Sequence, residues 1–187
     1  MGTLTVQTLQ APSSGANANT ILVPSGQTVH AAGSVVQVVR RDPTAAAITR
    51  FSSSSSSYAN TGLAITITPK FSDSLIAVRA FISTAHAASD YLYITLKRAI
   101  SGGATTDLGF TASSVNYGVL QHGVTGGATL WHQASFEYPD APNTTSAITY
   151  QIWSRNASGS GTHYLGWTGG TDTTHNGMFL TATEIAQ

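Results

Sequence analysis

TGLAITITPKFSDSLIAVRAFI, residues Thr61 to Ile82, is the stretch on which the fold class turns. Leu63, Ile65 and Ile67 alternate with Ala64, Thr66 and Thr68, the period of two that gives a strand one apolar face. Pro69 has no N–H to give to a sheet ladder, so the first strand is predicted to end there. Lys70, Ser72, Asp73 and Ser74 are turn-compatible, and a second run follows in which Ile76, Val78, Ala80 and Ile82 share a face. The reading is a β-arch or long hairpin at the centre of an all-β domain.

Working outward, the same periodicity recurs along the chain. Leu92, Ile94 and Leu96 oppose Tyr91, Tyr93, Thr95 and Lys97, and Ser101-Gly102-Gly103-Ala104 forms a turn into Thr106–Thr111. Tyr117–Leu120 is a weaker strand. Leu130, His132, Ala134 and Phe136 oppose Trp131, Gln133, Ser135 and Glu137, while Ile148, Tyr150 and Ile152 define a later strand. His163–Trp167 and Met178–Ile185 complete the series. Before the central stretch, Val35, Val36, Val38 and Val39 read as a central strand buried on both faces, and Ile48–Phe51 as another strand. The serines 52 to 57 suit an extended edge strand as well as a linker. No segment reads as a helix. Eight to ten short strands with glycine-rich turns predict an antiparallel β-sandwich, most simply a jelly roll, over residues 34–187.

Residues 1–33 differ. Thr3 to Leu9 alternates, placing Leu4 and Val6 on one face, and Leu9 ends the run. Ile21, Leu22 and Val23 form a short apolar patch before Pro24-Ser25-Gly26. An isolated strand is marginal in water, so this segment is either an edge strand folded back on its own domain or an extended arm. As an arm it would pair with a neighbouring subunit or anchor the chain in an assembly.

Composition narrows the function classes. Charged residues are 9 % of the 187, against roughly 25 % in an average soluble domain. With 41 % hydrophobic residues the chain has enough apolar surface to fold, and its low charge suits a surface partly covered by other subunits. Zero net charge and no basic stripe argue against a nucleic-acid partner. Cysteine is absent, which excludes disulfides and thiolate metal sites. No apolar run reaches membrane-spanning length, and the N-terminus lacks the charged and apolar regions of a secretory signal.

Motifs for catalysis are missing: there is neither a G-x-S-x-G elbow nor a phosphate-cradling G-x-x-x-x-G-K-[ST] loop. Asp residues read as turn formers, although Glu137 with Asp140 has the composition of a glycosidase pair. The six histidines show no i, i+2 or i, i+4 spacing, so neither a metal nor another cofactor is predicted. Aromatics in the C-terminal half stand near amide-bearing loops. Trp131, Tyr138, Asn143, Trp153, Tyr164 and Trp167 are accordingly candidates for stacking on and hydrogen-bonding to a sugar, against the alternative that they fill a core or an interface.

Several segments together resemble the short β-rich virion and tail-fibre-type proteins of tailed bacteriophages from marine and freshwater hosts. They are residues 3–10 (TLTVQTLQ), Pro24-Ser25-Gly26, residues 33–39 (GSVVQVV), 61–71 (TGLAITITPKF) with 74–78, 142–151 (PNTTSAITYQ) and 184–187 (EIAQ). The resemblance implies an oligomeric and most simply trimeric component of the virion surface, a tail-fibre or spike module or else a capsid decoration without a receptor role. Its partners would be copies of itself, other tail or capsid proteins, and a glycan of the bacterial surface. The missing catalytic motifs make this component non-enzymatic, and a stand-alone lectin or polysaccharide depolymerase is the alternative from another class.

Overall fold

The computed structural model describes residues 11, 13–15, 28, 30–41, 50–86, 90–101, 103–112, 115–123, 130–166 and 178–187. Leu4, Val6, Leu9, Ile21, Leu22, Val23 and Trp167, all singled out above, lie outside the described residues. So does most of residues 1–33.

The described residues form thirteen strands and no helix. In chain order they are β1 (Val35–Arg41), β2 (Phe51–Ser53), β3 (Ala59–Ile67), β4 (Leu75–His86), β5 (Tyr91–Ile100), β6 (Thr105–Asp107) and β7 (Phe110–Ala112). They continue with β8 (Val115–Gly118), β9 (Leu120–Gly123), β10 (Leu130–Asp140), β11 (Ile148–Asn156), β12 (His163–Leu165) and β13 (Met178–Ile185). All pairings are antiparallel.

Eight strands carry the architecture: β1, β3, β4, β5, β9, β10, β11 and β13. The first pairs with the last, β1 with β13, then β3 with β11, and β5 with β9. β10 pairs with β4, so the third of the eight meets the sixth. That nesting is a long antiparallel hairpin rolled into two sheets, a jelly roll. One sheet runs β1-β13-β4-β10, extended by β12 and β2, and the other runs β3-β11-β5-β9 with β6 alongside.

The stretch Thr61–Ile82 resolves as an arch. β3 and β4 lie in different sheets, so their facing apolar rows meet across the interior instead of pairing as a hairpin. Leu63 and Ile67 from one sheet and Ile76, Val78, Ala80 and Ile82 from the other are at most 1 % exposed. Leu92, Ile94, Leu96, Ile148, Tyr150 and Ile152 join the core from β5 and β11, as do Leu165, Met178, Leu180 and Ala182 from β12 and β13. Burying each Leu or Ile stabilises by roughly 1.5–3 kcal/mol, so these rows dominate the favourable side of folding.

Glu184 closes the arch. Its side chain is fully buried and accepts from Lys70 N (2.7 Å), Phe71 N (3.1 Å), Ser74 Oγ (2.8 Å) and Gln37 Nε2 (2.6 Å). Burial by itself would raise its pKa. The four donors outweigh that and hold the carboxyl below its usual value. A carboxylate near the chain's end thus binds the turn after β3 and the first strand to the last.

Two expectations need correction. β1 is an edge strand pairing only with β13 among the described residues, and Val35 and Val38 are 60 % and 57 % exposed. A β-bulge between Val35 and Gln37 breaks the alternation, so a continuous valine run arises without burial on both faces. The strand read as Thr106–Thr111 is interrupted at Leu108 and Gly109. There the Asp107 carboxylate accepts Gly109 N (2.9 Å) and turns the chain. Of the serine tract, Ser52 and Ser53 extend β2, while Ser55 turns the chain by accepting Ser57 N (3.0 Å) at its hydroxyl.

Candidate functional site

The outer face of the β3-β11-β5 sheet carries a dense grouping of aromatic and charged side chains. Antiparallel register sets Tyr93 opposite Arg155, Thr95 opposite Trp153 and Lys97 opposite Gln151, and alternation turns all six away from the core. Tyr58, just before β3, and Tyr117, in β8, reach the same face. Arg155 lies over Tyr93 (4.3 Å to the ring centre) and Tyr58 (5.3 Å), and Lys97 over Trp153 (4.3 Å) and Tyr58 (5.7 Å). Each such cation–ring contact contributes on the order of 0.5–2 kcal/mol.

Hydrogen bonds fix the rest of the face. Asp107 accepts Thr95 Oγ1 at 2.5 Å and stands 3.8 Å from Lys97 Nζ, while Trp153 Nε1 donates to Gln151 Oε1 (3.2 Å). Burial pushes the Tyr58 phenol up to about 12 against the opposing pull of Arg155, and it raises Tyr93 as well. Tyr91 stacks on Tyr93 (6.3 Å between centres), and Tyr117 meets Tyr93 edge-on (5.7 Å). Tyr91 is 49 % exposed, so an open ring sits at the end of a fixed row of rings and cations. Chemically this face offers stacking and hydrogen bonding.

Among the described residues, the structure does not bring the predicted sugar-binding side chains together at one place. Trp153 belongs to the face just described. Trp131 starts β10 on the other sheet, exposed, opposite Ala85. Tyr164 stands opposite Ala85 from the other side, with Arg50 over its ring (5.0 Å). Trp131 and Tyr164 therefore share the outer face of that sheet, two strand spacings or roughly 10 Å apart. Tyr138 turns inward against the core and lines a cleft of about 500 Å³ with Leu108, Phe110, Val119 and Phe136. Asn143, at φ 52°, uses its amide to bond Ala141 O (3.1 Å) and shape its own turn. The carboxylates of Glu137 and Asp140 point to opposite faces of β10. Asp140 is buried, accepting Tyr150 Oη (2.6 Å) and Arg98 Nη1 (2.7 Å).

Histidines converge where spacing offered no sign of it. His86 on β4 stands opposite His163 on β12, and His122 on β9 lies against His132 on β10 with ring centres 3.6 Å apart. The members come from four strands, which is why local spacing was silent. Among the described residues, no group of three or more His, Cys, Asp or Glu side chains could hold a metal ion.

No protein family and no curated protein matches the chain. Among solved structures, that of infectious bursal disease virus Gx strain is similar over 89 % of this chain and 40 % of its own, with a TM-score of 0.35 and 15 % identity. This chain thus spans less than half the length of that neighbour. The jelly-roll assignment rests on the strand pairing itself, and it defines the class: an all-β antiparallel sandwich.

Proposed function

We propose that the chain is a non-enzymatic structural protein of a bacteriophage virion, a homotrimer displayed on the particle that contacts a bacterial surface glycan. The observation that carries this reading is the surface. Val35, Val38, Phe110 and Trp131 are large apolar side chains exposed on a jelly roll with few charges to keep it apart from other proteins. Phe81 and Phe179, stacked at 5.4 Å on the outer face of the β13–β4 pair, add to that apolar surface, with Arg40 over Phe179. Such a surface suits burial between subunits. The segments resembling phage virion proteins support the same reading, and Glu184, in one of them, ties together parts of two others at residues 33–39 and 61–78.

For the glycan, the exposed Tyr91 ring beside Tyr93, Arg155 and Trp153 is the better-formed surface than the scattered loop residues. Light scattering of the purified chain tests the assembly. The expected mass is near three times the 19.4 kDa of one chain. A stable monomer at micromolar concentration would overturn the trimer.

A further inference from the structure

The four-histidine cluster lies at one end of the sandwich and the strong carboxylate networks at the other. Ile76, at the start of β4, is in register with both Glu184 and Asp140, whereas His86 ends β4. Ten residues of strand separate the two, roughly 33 Å. One end is held by charge-assisted bonds from Glu184 and from Asp140 with Arg98 and Tyr150. The other is packed with imidazole rings that make few hydrogen bonds.

At the histidine end, His86 and His163 are at most 1 % exposed. Both ring nitrogens of His86, Nδ1 of His163, and Nε2 of His122 and of His132 have no hydrogen-bond partner among the described residues. His163 Nε2 meets Ser154 Oγ (2.9 Å), and Phe51 packs on its ring (5.8 Å). The nearby acid is Asp90, before β5. Its carboxylate is already engaged by Tyr91 N (2.8 Å), Ser158 N (3.1 Å) and Ser158 Oγ (2.8 Å). A proton added to His163 or to His122 therefore places charge beside a second imidazole, His86 or His132, at ring nitrogens that few hydrogen bonds serve. Asp90 offers only partial relief.

We propose that this end of the sandwich is an acid-sensitive latch: proton uptake by His163 and His122 loosens β12 and β10 from β4, and β9 from β10, while the Glu184 end stays closed. The electrostatics agree with the geometry. Burial, then the neighbouring His86, lowers His163 to about 4 against a weaker opposite pull from Asp90, and burial with His132 and His86 lowers His122. The sign follows. A ring that is ordinary when the end opens and depressed when it is closed favours opening as pH falls below about 6.5. For His163, an ordinary value of about 6.5 lowered to about 4 multiplies the open population by roughly 30 between pH 7.5 and 5.

The test is hydrogen exchange by mass spectrometry at pH 7.5 and pH 5 on the full chain, corrected for intrinsic exchange. Protection is expected to fall at least tenfold in residues 120–123, 130–134 and 163–165, and to hold in residues 75–80 and 180–185. The double variant His122→Phe, His132→Phe keeps two rings and removes two protonation sites, so its loss at pH 5 should be clearly smaller. If that variant does not fold, the imidazole nitrogens of the unaltered chain are titrated by NMR, with His122 and His163 expected to titrate below the ordinary histidine value of about 6.5. Equal protection at both pH values, histidines titrating near 6.5, or stoichiometric zinc in the purified protein would overturn the proposal.

Discussion

Replacing Glu184 by Ala removes the acceptor for four donors at once, in a site with no exposed surface. Hydrogen bonds to a charged group are worth roughly 1.5–3 kcal/mol each, but Lys70 and Gln37 lie near enough to solvent to rehydrate. Ser74 Oγ and Phe71 N are the donors left stranded, so the expected loss is about 3–5 kcal/mol. For a domain of this size that lowers Tm by roughly 6–20 °C. Urea unfolding followed by circular dichroism at pH 7 gives the same quantity as a shift in midpoint at constant slope. Glu184→Gln keeps one carbonyl oxygen for Lys70, Phe71 and Ser74, so it should cost less than half as much.

The pH dependence supplies a second check on the same residue. The folded-state pKa of Glu184 is depressed, so its contribution is present above the usual carboxylate range and disappears as pH falls through the folded value. The stability difference between the unaltered chain and Glu184→Gln should therefore shrink on acidification. A Glu184→Ala chain within 1 kcal/mol of the unaltered one at pH 7, or a difference independent of pH, would refute the reasoning.

Gly118 holds φ at 75°, and a β-carbon there would collide with the carbonyl oxygen of Ile94, so Gly118→Ala should destabilise by about 2–4 kcal/mol in urea unfolding. No detectable change would show that β8 is not packed on β5 as described. Tyr150→Phe removes the phenol that donates to Asp140 (2.6 Å) but leaves Arg98 bound to that carboxylate, so a loss of about 1–2 kcal/mol is expected in the same assay.

What the sequence disclosed follows from what is local in it. Leu63, Ile65 and Ile67, or Ile148, Tyr150 and Ile152, declare their faces through a period of two, and their burial follows directly. Pro69 ends β3's run as its missing N–H requires. Even the jelly roll was legible as the simplest closure of so many short strands. Which strand meets which was not, because β1 with β13 and β3 with β11 join residues about 80 or more positions apart in the chain.

Both functional groupings share that non-locality. The ring and cation face gathers Tyr58, Tyr93, Lys97, Tyr117, Trp153 and Arg155, while the histidine end gathers residues 86, 122, 132 and 163. Nearness of aromatic residues to Asn and Asp in the sequence does not fix which of them share a face. Tyr138 and Trp131 lie on opposite faces of β10, and Asn143 spends its amide on its own turn. Asp140 looked like a turn residue and proved to be a buried acceptor, a role visible only once Arg98 and Tyr150 stand beside it.

Display of this jelly roll on a virus particle is the proposed role. Gold-labelled antibody raised against the folded chain, applied to purified phage particles, tests it most directly. The account expects label on the particle surface, with labelling of tail ends marking a fibre or spike role and labelling of heads marking a capsid decoration. Unlabelled particles, with the protein recovered only from the soluble lysate, would contradict it.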